Sequence, residues 1–389
     1  MRIGVIGAGL MGATAAYHLT RLRARVTIID PHSPGRGTSG STFGWVNAST
    51  PEIADPHYFR LCVAAITEHA SLCQQAPPGT WFHPSGHLRW ANADGVDALL
   101  AHANQLNEAG YPVTILTGAQ AAEAEPAIRF ASPLQPVVSF PGESWVDGTA
   151  MACDLVSAAT AQGARALIGS HVVAVEDGKG SGLTVVLGNR TTQPFDAVVN
   201  AAGPWSDSIA ALVGRELPLR PSPGLVARLS VPRVPVRHAL HSPQVEIRPD
   251  GPHRILLHSR KIDAQLRTGI ATPDQRAELA AMATEVIPAL ADSTVTDSSV
   301  GWRPMPSDTW PSVGNVPGVG GYYELVSHLG ITLAPLLGRL LAEEIMTGQV
   351  SPLLSPYRPE RPTLLRQTSG APETLTGAPS LCRRSLMNR

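Results

Sequence analysis

Residues 1–30 read MRIGVIGAGLMGATAAYHLTRLRARVTIID, and this stretch decides the fold. A short β-like run, 2–6, leads directly into the glycine-rich segment GAGLMG at 7–12. A helix pattern of small residues covers 13–22, and a second strand, 25–29, ends at Asp30. This order of strand, G-x-G-x-x-G, helix, strand and acid is typical of a dinucleotide-binding unit.

Each glycine of this unit, and Asp30 at its end, is required there for a physical reason. Gly7 permits the tight turn, Gly9 lets a pyrophosphate approach the backbone, and Gly12 lets the helix pack closely on the strand. The helix N-terminus offers free N–H groups to the phosphates. Asp30 can accept hydrogen bonds from ribose hydroxyls and disfavours a 2′-phosphate, which leaves NAD and FAD as alternatives.

The loop that follows favours the longer cofactor. Residues 35–47 read GRGTSGSTFGWVN, which is rich in glycine and hydroxyl groups. Such a loop directly after the ribose acid fits a long dinucleotide whose far half lies over it. The alternative is a flexible surface loop, which is the usual meaning of this composition.

Composition excludes several function classes. The chain has 389 residues, a formal net charge of −1 and only 16% charged residues, so a nucleic-acid binder that needs an excess of basic side chains is not indicated. No two of the four cysteines have C-x-x-C spacing, and no apolar run is long enough to span a membrane. We therefore expect a cytoplasmic protein without a metal site, with two or three domains or one large α/β assembly that carries an inserted part.

The remaining sequence alternates helix and strand patterns. Helices are predicted at 52–76, 96–109, 119–125, 151–162, 272–289 and 336–346. Strands are predicted at 171–176, 183–187, 195–202, 225–231, 244–248, 254–258 and 322–327, with a strand or hairpin at 81–91 and a turn at 144–148. The segment from 360 to 389 is rich in proline, threonine, serine and arginine, and we expect a flexible tail.

Four segments together resemble the flavin-dependent amine oxidases of the D-amino acid oxidase, glycine oxidase and sarcosine oxidase superfamily. They are the GAGLMG unit with Asp30, the loop TSGSTFGW at 38–45, the segment VNAAGPWSD at 199–207, and GWRP at 301–304 followed by HLGIT at 328–332. Their order and spacing match across residues 1 to about 346.

The resemblance implies an α/β protein in two interleaved domains. A discontinuous, Rossmann-like FAD-binding domain would comprise 1–85, 145–215 and 300–350. A substrate domain built on an antiparallel sheet would comprise 86–144 and 216–299. The FAD would be bound without a covalent link.

The resemblance also implies which residues contact FAD. The ADP half would lie against Gly7, Ala8, Gly9, Leu10, Met11, Gly12 and Asp30, with Val173 at the adenine and Thr38 and Ser39 at the pyrophosphate. Phe43, Gly44 and Trp45 would line the flavin ring. Further contacts would come from Ala202, Gly203, Trp205, Gly301, Arg303, His328, Gly330, Ile331 and Thr332.

Three residues are candidates for the chemistry. In several family members the arginine that corresponds to Arg303 grips the substrate carboxylate through a bidentate fork. Lys261, one of only two lysines in the chain, lies in a segment that loosely resembles one where a lysine assists oxygen reduction. An exposed lysine in a loop is the alternative. For His258 nearby there are two alternatives, a residue that points into the substrate cavity and a polar residue whose hydrogen bonds are satisfied within the protein.

The resemblance implies oxidation of a C–N bond in an amino acid or secondary amine, with hydride transfer to flavin and hydrolysis of the imine. The expected partners are a small substrate and oxygen or another electron acceptor. Two alternatives stay open, namely an NAD-linked dehydrogenase and a non-catalytic FAD-binding subunit of a complex. His83 and His87 do not form a metal pair on a helix, because Pro84-Ser85-Gly86 separates them.

Overall fold

A computed structural model describes residues 1–50, 55–76, 79–178, 182–267 and 269–365. The predicted flexible tail therefore lies outside the described residues from 366 onward. Its first part is ordered, contrary to expectation. Arg361 pairs with Asp308 at 2.7 Å, and Leu364 is fully buried in a last short helix.

The first sheet contains the two strands of the opening unit. Its six strands lie in the order β19-β20-β13-β1-β2-β9, and all neighbours are parallel except β19 and β20. The strands are β1 (Arg2–Ile6), β2 (Arg25–Asp30), β9 (Arg165–Ile168), β13 (Ala197–Asn200), β19 (Ser312–Asn315) and β20 (Tyr322–Val326). The carboxyl ends of β1 and β13 consequently meet at one edge of the sheet, where ligands bind in open α/β sheets.

Helices cover this sheet and share its main apolar core. α1 (Leu10–Arg21) contacts both α5 (Gly148–Ala161) and α9 (Gly330–Thr347), and α9 also contacts α2 (Pro56–Gln75). Asp55 and Asp147 begin α2 and α5 by accepting hydrogen bonds from two backbone N–H groups each. Gly348 ends α9 in the left-handed conformation at φ +74°.

The second large sheet is antiparallel apart from one parallel pair, β15 with β5, and it has a separate apolar core. Its order is β18-β14-β17-β16-β15-β5-β7-β6. The strands are β5 (His87–Arg89), β6 (Thr114–Thr117), β7 (Pro136–Phe140), β14 (Ser222–Ser230), β15 (Ala239–His241), β16 (Glu246–Pro249), β17 (Arg254–His258) and β18 (Thr294–Arg303).

Two small antiparallel sheets complete the strands. One contains β3 (Trp45–Val46), β8 (Ser144–Val146) and β4 (Phe82–His83), and the other contains β10 (Val172–Asp177), β11 (Leu183–Leu187) and β12 (Thr192–Phe195). The remaining helices are α3 (Val96–Glu108), α4 (Gly118–Ala124), α6 (Ser206–Ala211), α7 (Arg260–Asp263), α8 (Pro273–Val286) and α10 (Pro362–Leu365).

Several predicted elements differ from the structure. The turn predicted at 144–148 is wrong, because Ser144–Val146 pairs with both β3 and β4 as a strand. The 81–91 run is two strands in different sheets rather than one hairpin. Two predicted domain boundaries fall inside strands, at 144/145 in β8 and 299/300 in β18. The division into two interleaved domains stays a prediction.

Helix α9 begins at Gly330, six residues before its predicted start at Leu336. Pro335 lies inside this helix, although a proline has no N–H to donate to the carbonyl four residues earlier. Here that carbonyl belongs to Ile331, and Nε2 of His69 on α2 bonds to it at 2.9 Å. Burial lowers the pKa of His69 to about 4, so the ring is neutral and Nε2 carries the hydrogen it donates.

We expect His69→Leu to lower the free energy of unfolding by about 1–3 kcal/mol, because it leaves the buried Ile331 carbonyl without a donor. The same substitution should cost less in a Pro335→Ala background, where residue 335 regains an N–H for that carbonyl. Urea unfolding of the four variants in this cycle measures the coupling. An equal loss in the free energy of unfolding in both backgrounds would contradict the role of His69 as the donor to the Ile331 carbonyl.

Candidate functional site

The glycine turn after β1 is built on close backbone approaches. A Cβ on Gly12 would lie 1.9 Å from the carbonyl oxygen of Gly7, and a Cβ on Gly7 would lie 2.3 Å from that of Ala201. Gly9 is different, since a Cβ there would meet only the Ser39 hydroxyl at 3.2 Å. Apart from this one hydroxyl group, the space beside Gly9 is open, which leaves room for a phosphate at the helix N-terminus.

Asp30 holds the end of β2 against this turn. One carboxylate oxygen accepts from the N–H of Ala8 at 2.7 Å, and the other accepts from the N–H of His32 at 2.7 Å. Burial raises the pKa of Asp30, while these two N–H groups act in the opposite direction. Each oxygen keeps lone-pair capacity for a further donor such as a ribose hydroxyl.

The loop at 38–41 connects this turn to the far end of the chain. The Ser39 hydroxyl accepts from the N–H of Leu10 at 3.0 Å, and the Thr38 hydroxyl donates to the carbonyl of Trp302 at 2.6 Å. Gly301 packs so closely on Ser41 that a Cβ would lie 2.5 Å from the Ser41 carbonyl oxygen. The glycine turn and the end of β18 are therefore joined through one short loop.

Trp205 lies beside the glycine turn and the 38–41 loop. β13 is followed by a single 3-10 turn, Gly203–Trp205, that Asn200 supports by donating to the Ser206 carbonyl at 2.7 Å. Trp205 and the loop border a groove of about 460 Å³. The other residues around that groove include His32, Arg36, Gly37, Thr38, Gly301 and Trp302.

The first turn of α9 meets the segment after Gly44. The Thr332 hydroxyl contacts both the Trp45 carbonyl and the Asn47 N–H at 3.3 Å, and Gly330 lies beside Met11 of α1. Leu329 at the N-cap supplies no side-chain acceptor, so the positive end of the helix dipole is available near Trp45.

A buried carboxylate fixes the Trp45 side chain. The indole Nε1 donates to Glu143 at 2.7 Å, and the hydroxyl of Tyr111 donates to its other oxygen at 2.9 Å. Burial raises the pKa of Glu143 to about 7, although these hydrogen bonds favour the charged form. Trp45 also stacks on the fully buried His87, with ring centroids 4.3 Å apart.

A charged network surrounds Arg303 at the end of β18. Nη2 of Arg303 bonds to Asp263 and lies 3.0 Å from Nε2 of His258. The imidazole of His258 lies between two carboxylates, with Glu246 at 2.7 Å and Asp263 at 2.9 Å. His241 contacts the other oxygen of Glu246 at 2.9 Å, which extends the network to β15.

The partners of His258 determine its protonation. Burial alone would lower the pKa of His258, but the charges and hydrogen bonds of Glu246 and Asp263 raise it to about 9. Burial would raise the pKa values of both carboxyl groups, but His258, with His241 or Arg303, holds each of them below its usual range. His258 is thus a cation between two anions at neutral pH.

The contacts above connect many of the residues predicted to contact the cofactor, and they do not include Val173 or the predicted catalytic residue Lys261, whose roles stay predictions. Val173 is on β10 of a separate small sheet and is 40% exposed. Lys261 pairs with Glu278 at 3.0 Å, and its side chain is 60% exposed. The ammonium therefore pairs at the protein surface, and the catalytic role of Lys261 stays a prediction. His328 lies in the connection between β20 and α9.

Sequence reasoning missed the acidic members of the site. Glu143, Glu246 and Asp263 are single acids with no motif around them, and their partners lie on other strands. Arg248 was also missed, although it is buried and its guanidinium lies 4.1 Å from the ring centroid of Trp145. Among the described residues there is no group of three or more histidine, cysteine or acidic side chains arranged to hold a metal.

Comparisons with known proteins agree with this geometry. The DAO family, described as FAD dependent oxidoreductase, matches residues 2–344. An uncharacterized oxidoreductase YurR of Bacillus subtilis is 27% identical, with 91% of this chain and 97% of that protein covered. A glycine oxidase of Geobacillus kaustophilus is 25% identical, with 91% of this chain and 95% of that protein covered.

Solved structures show the same fold. A crystal structure of glycine oxidase from Geobacillus kaustophilus superimposes with a TM-score of 0.83 at 23% identity, covering 92% of this chain and 99% of that one. This confirms the predicted α/β fold class with its Rossmann-like part. Within the described residues, no helix is long and apolar enough to cross a bilayer.

The glycine cradle can be tested by separating folding from FAD binding. We expect Gly9→Ala to fold with nearly wild-type stability, because only the Ser39 hydroxyl lies near the added methyl group. Its flavin content should fall at least about tenfold, since the methyl group occupies phosphate space. Gly12→Ala should instead fail to fold. Full flavin content in Gly9→Ala would contradict the cradle.

The Glu143 carboxyl makes stability depend on pH. An unfolded glutamate releases its proton near 4.5, whereas folded Glu143 keeps it to about 7, so this group lowers the free energy of unfolding as pH rises between those values. Glu143→Gln has no such proton to release. Relative to wild type, it should gain up to about 3 kcal/mol between pH 4.5 and 7.

Chemical unfolding across this pH range measures the difference between the two proteins. Tyr111→Phe is the matched variant. Loss of its hydrogen bond favours the protonated form of Glu143, so the free energy of unfolding should continue to fall to a higher pH than in wild type. Parallel pH profiles for wild type and Glu143→Gln would show that Glu143 does not titrate in this way.

Proposed function

Because this chain belongs to the DAO family of FAD-dependent oxidoreductases, we propose that it oxidises the C–N bond of an amino acid or secondary amine. The oxidised product is an imine that hydrolyses in water. The supporting observation is the direct link between the cofactor loop and Arg303, made where Thr38 donates to the carbonyl of Trp302. The family assignment to FAD removes the alternative of an NAD-linked dehydrogenase.

The residues that would hold FAD fit its parts. Gly7, Gly9, Gly12 and Asp30 would hold the ADP half, with the Thr38 and Ser39 loop beside the pyrophosphate. The ring would lie near Trp45 and the first turn of α9, held without a covalent bond. When bound, FAD supplies the hydride acceptor.

The chain's own residues would orient the substrate. Arg303 would hold a carboxylate, and the Trp45 ring, fixed by Glu143 and stacked on His87, would form an adjacent wall. When the substrate is held in one orientation, the reaction becomes effectively unimolecular. This loss of the entropic cost of encounter lowers the activation barrier. The dipole at the start of α9 would stabilise negative charge that develops near Trp45.

The glycine oxidases among the relatives are named for an amino-acid substrate, which supports this substrate class. A D-amino acid dehydrogenase of Cereibacter sphaeroides is also similar, at 24% identity. The electron acceptor in this chain is therefore proposed only as oxygen or another small acceptor. A cytoplasmic location stays a prediction.

Anaerobic reduction of the bound flavin by a panel of amino acids and amines tests the proposed reaction. We expect at least one carboxylated amine to bleach the flavin absorbance, and air to restore it if oxygen is the acceptor. If no member of the panel reduced the flavin, the proposed reaction would be wrong, and a non-catalytic FAD-binding subunit would be favoured.

Arg303→Ala should lower kcat/KM for that carboxylated substrate by about 100-fold, because a charge-assisted hydrogen bond to the substrate is lost. An amine without a carboxylate should be affected much less. Arg2→Ala is the control, since it removes an exposed arginine that pairs with Asp196 on the surface. Equal losses for both substrate types would contradict the assignment of Arg303.

A further inference from the structure

Arg303 is already engaged before any substrate arrives. A guanidinium can form a bidentate fork through Nε and Nη2 or through Nη1 and Nη2, so both forks need Nη2. In this chain Nη2 bonds to Asp263 and contacts His258, and Nη1 donates to the carbonyl of Pro223 at 3.2 Å. A substrate carboxylate that binds through Nη2 therefore lies beside the Asp263 oxygen or replaces it.

Asp263 is firmly held in this position. Its other oxygen accepts from the N–H of Leu225 at 2.8 Å, and the side chain is nearly buried. The residue lies at the end of α7, which directly follows β17 and its last residue, His258. The positions of β17 and α7 and the hydrogen bond from the Leu225 N–H thus hold the Asp263 carboxylate opposite Arg303.

The network around Arg303 carries no net charge before a ligand binds. Arg303 and protonated His258 are positive, and Asp263 and Glu246 are negative. An additional carboxylate at the partly exposed Arg303 would leave one uncompensated negative charge beside the largely buried Asp263, His258 and Glu246, which is unfavourable. His241 is the outer member of the network, because its Nε2 pairs with Glu246 while its buried Nδ1 has no hydrogen-bond partner in the described part of the chain.

We propose that Asp263 makes the Arg303 site selective for zwitterionic amino acids. A carboxylate joins the network only together with one additional positive charge. The charge comes from the ligand's own ammonium group or, for a simple carboxylate, from a proton taken from solvent. The proposal rests on the proposed function, because it assigns the substrate carboxylate to Arg303.

Two ligands of equal shape separate these cases. Trimethylglycine carries a carboxylate and a quaternary ammonium, and 3,3-dimethylbutyrate replaces that nitrogen by carbon. Neither can be oxidised at a C–N bond by hydride transfer, since one has no nitrogen lone pair and the other has no nitrogen. Calorimetric titration of the FAD-loaded protein in two buffers of different ionisation enthalpy gives both the affinity and the number of protons taken up.

We expect trimethylglycine to bind with no proton uptake and with an affinity that is constant from pH 7 to 8. Dimethylbutyrate should bind with uptake of about one proton, so its affinity should fall about tenfold over the same pH unit. Arg303→Ala should abolish the binding of both ligands. Equal proton uptake for the two ligands in wild type would overturn the proposal.

Asp263→Asn removes one negative charge and keeps an acceptor for the Leu225 N–H. In this variant dimethylbutyrate should bind about tenfold more tightly at pH 8 and without proton uptake, because Arg303 then lacks its internal partner. Asp263→Ser is a second neutral variant that should behave in the same way if the asparagine does not fold. Glu278→Gln removes a surface carboxylate near Lys261 and should leave both titrations as in wild type.

The outcomes distinguish this proposal from the proposed function. Because neither ligand is oxidised, its binding does not depend on turnover. Flavin reduction by amino acids together with proton-free binding of dimethylbutyrate would overturn the role of Asp263 alone. No binding of either ligand to wild type, or unchanged binding to Arg303→Ala, would also overturn the proposal, since Arg303 would then not be the carboxylate site.

Discussion

The contact between the Gly7 carbonyl and Gly12 is the constraint on which the rest of the structure depends. At this point the end of β1 and the first turn of α1 touch so closely that a methyl group at residue 12 would overlap the carbonyl oxygen. Gly7 makes a second close contact with Ala201 after β13. These two approaches bring two strand ends and a helix N-terminus to one place, and every other cofactor-binding segment is positioned relative to it.

The second organising feature is the balance of buried charge around Arg303. An isolated, partly exposed arginine would attract any small carboxylate, but Arg303 pairs with Asp263 and lies beside His258, which in turn pairs with Glu246. Removing one member of such a network lowers the free energy of unfolding, because it leaves another charge unpaired. It therefore fixes the geometry of the substrate region and, in our proposal, also determines the net charge of the ligand that can enter.

The sequence predicts the cofactor site better than the substrate site, and the reason is physical. Gly7, Gly9 and Gly12 are closely spaced along the chain, so their pattern is visible without any tertiary information. Glu143 contacts Trp45, which is 98 residues away in the sequence, and Asp263 contacts Arg303, which is 40 residues away. No local spacing reports such pairings. A local resemblance in sequence indicates Lys261 as a candidate. In the structure, Asp263, two residues later on the same helix, is the side chain that contacts Arg303, whereas Lys261 pairs with Glu278.

The central claim is that segments far apart in the chain form one FAD site, and amide hydrogen exchange with and without FAD tests it most directly. The account predicts that FAD slows exchange together in the glycine turn, the 38–45 loop, the 202–205 turn and the start of α9 at Gly330. The surface around Lys261 should be unaffected. Slower exchange confined to the glycine turn, with the other three segments unchanged, would contradict the account.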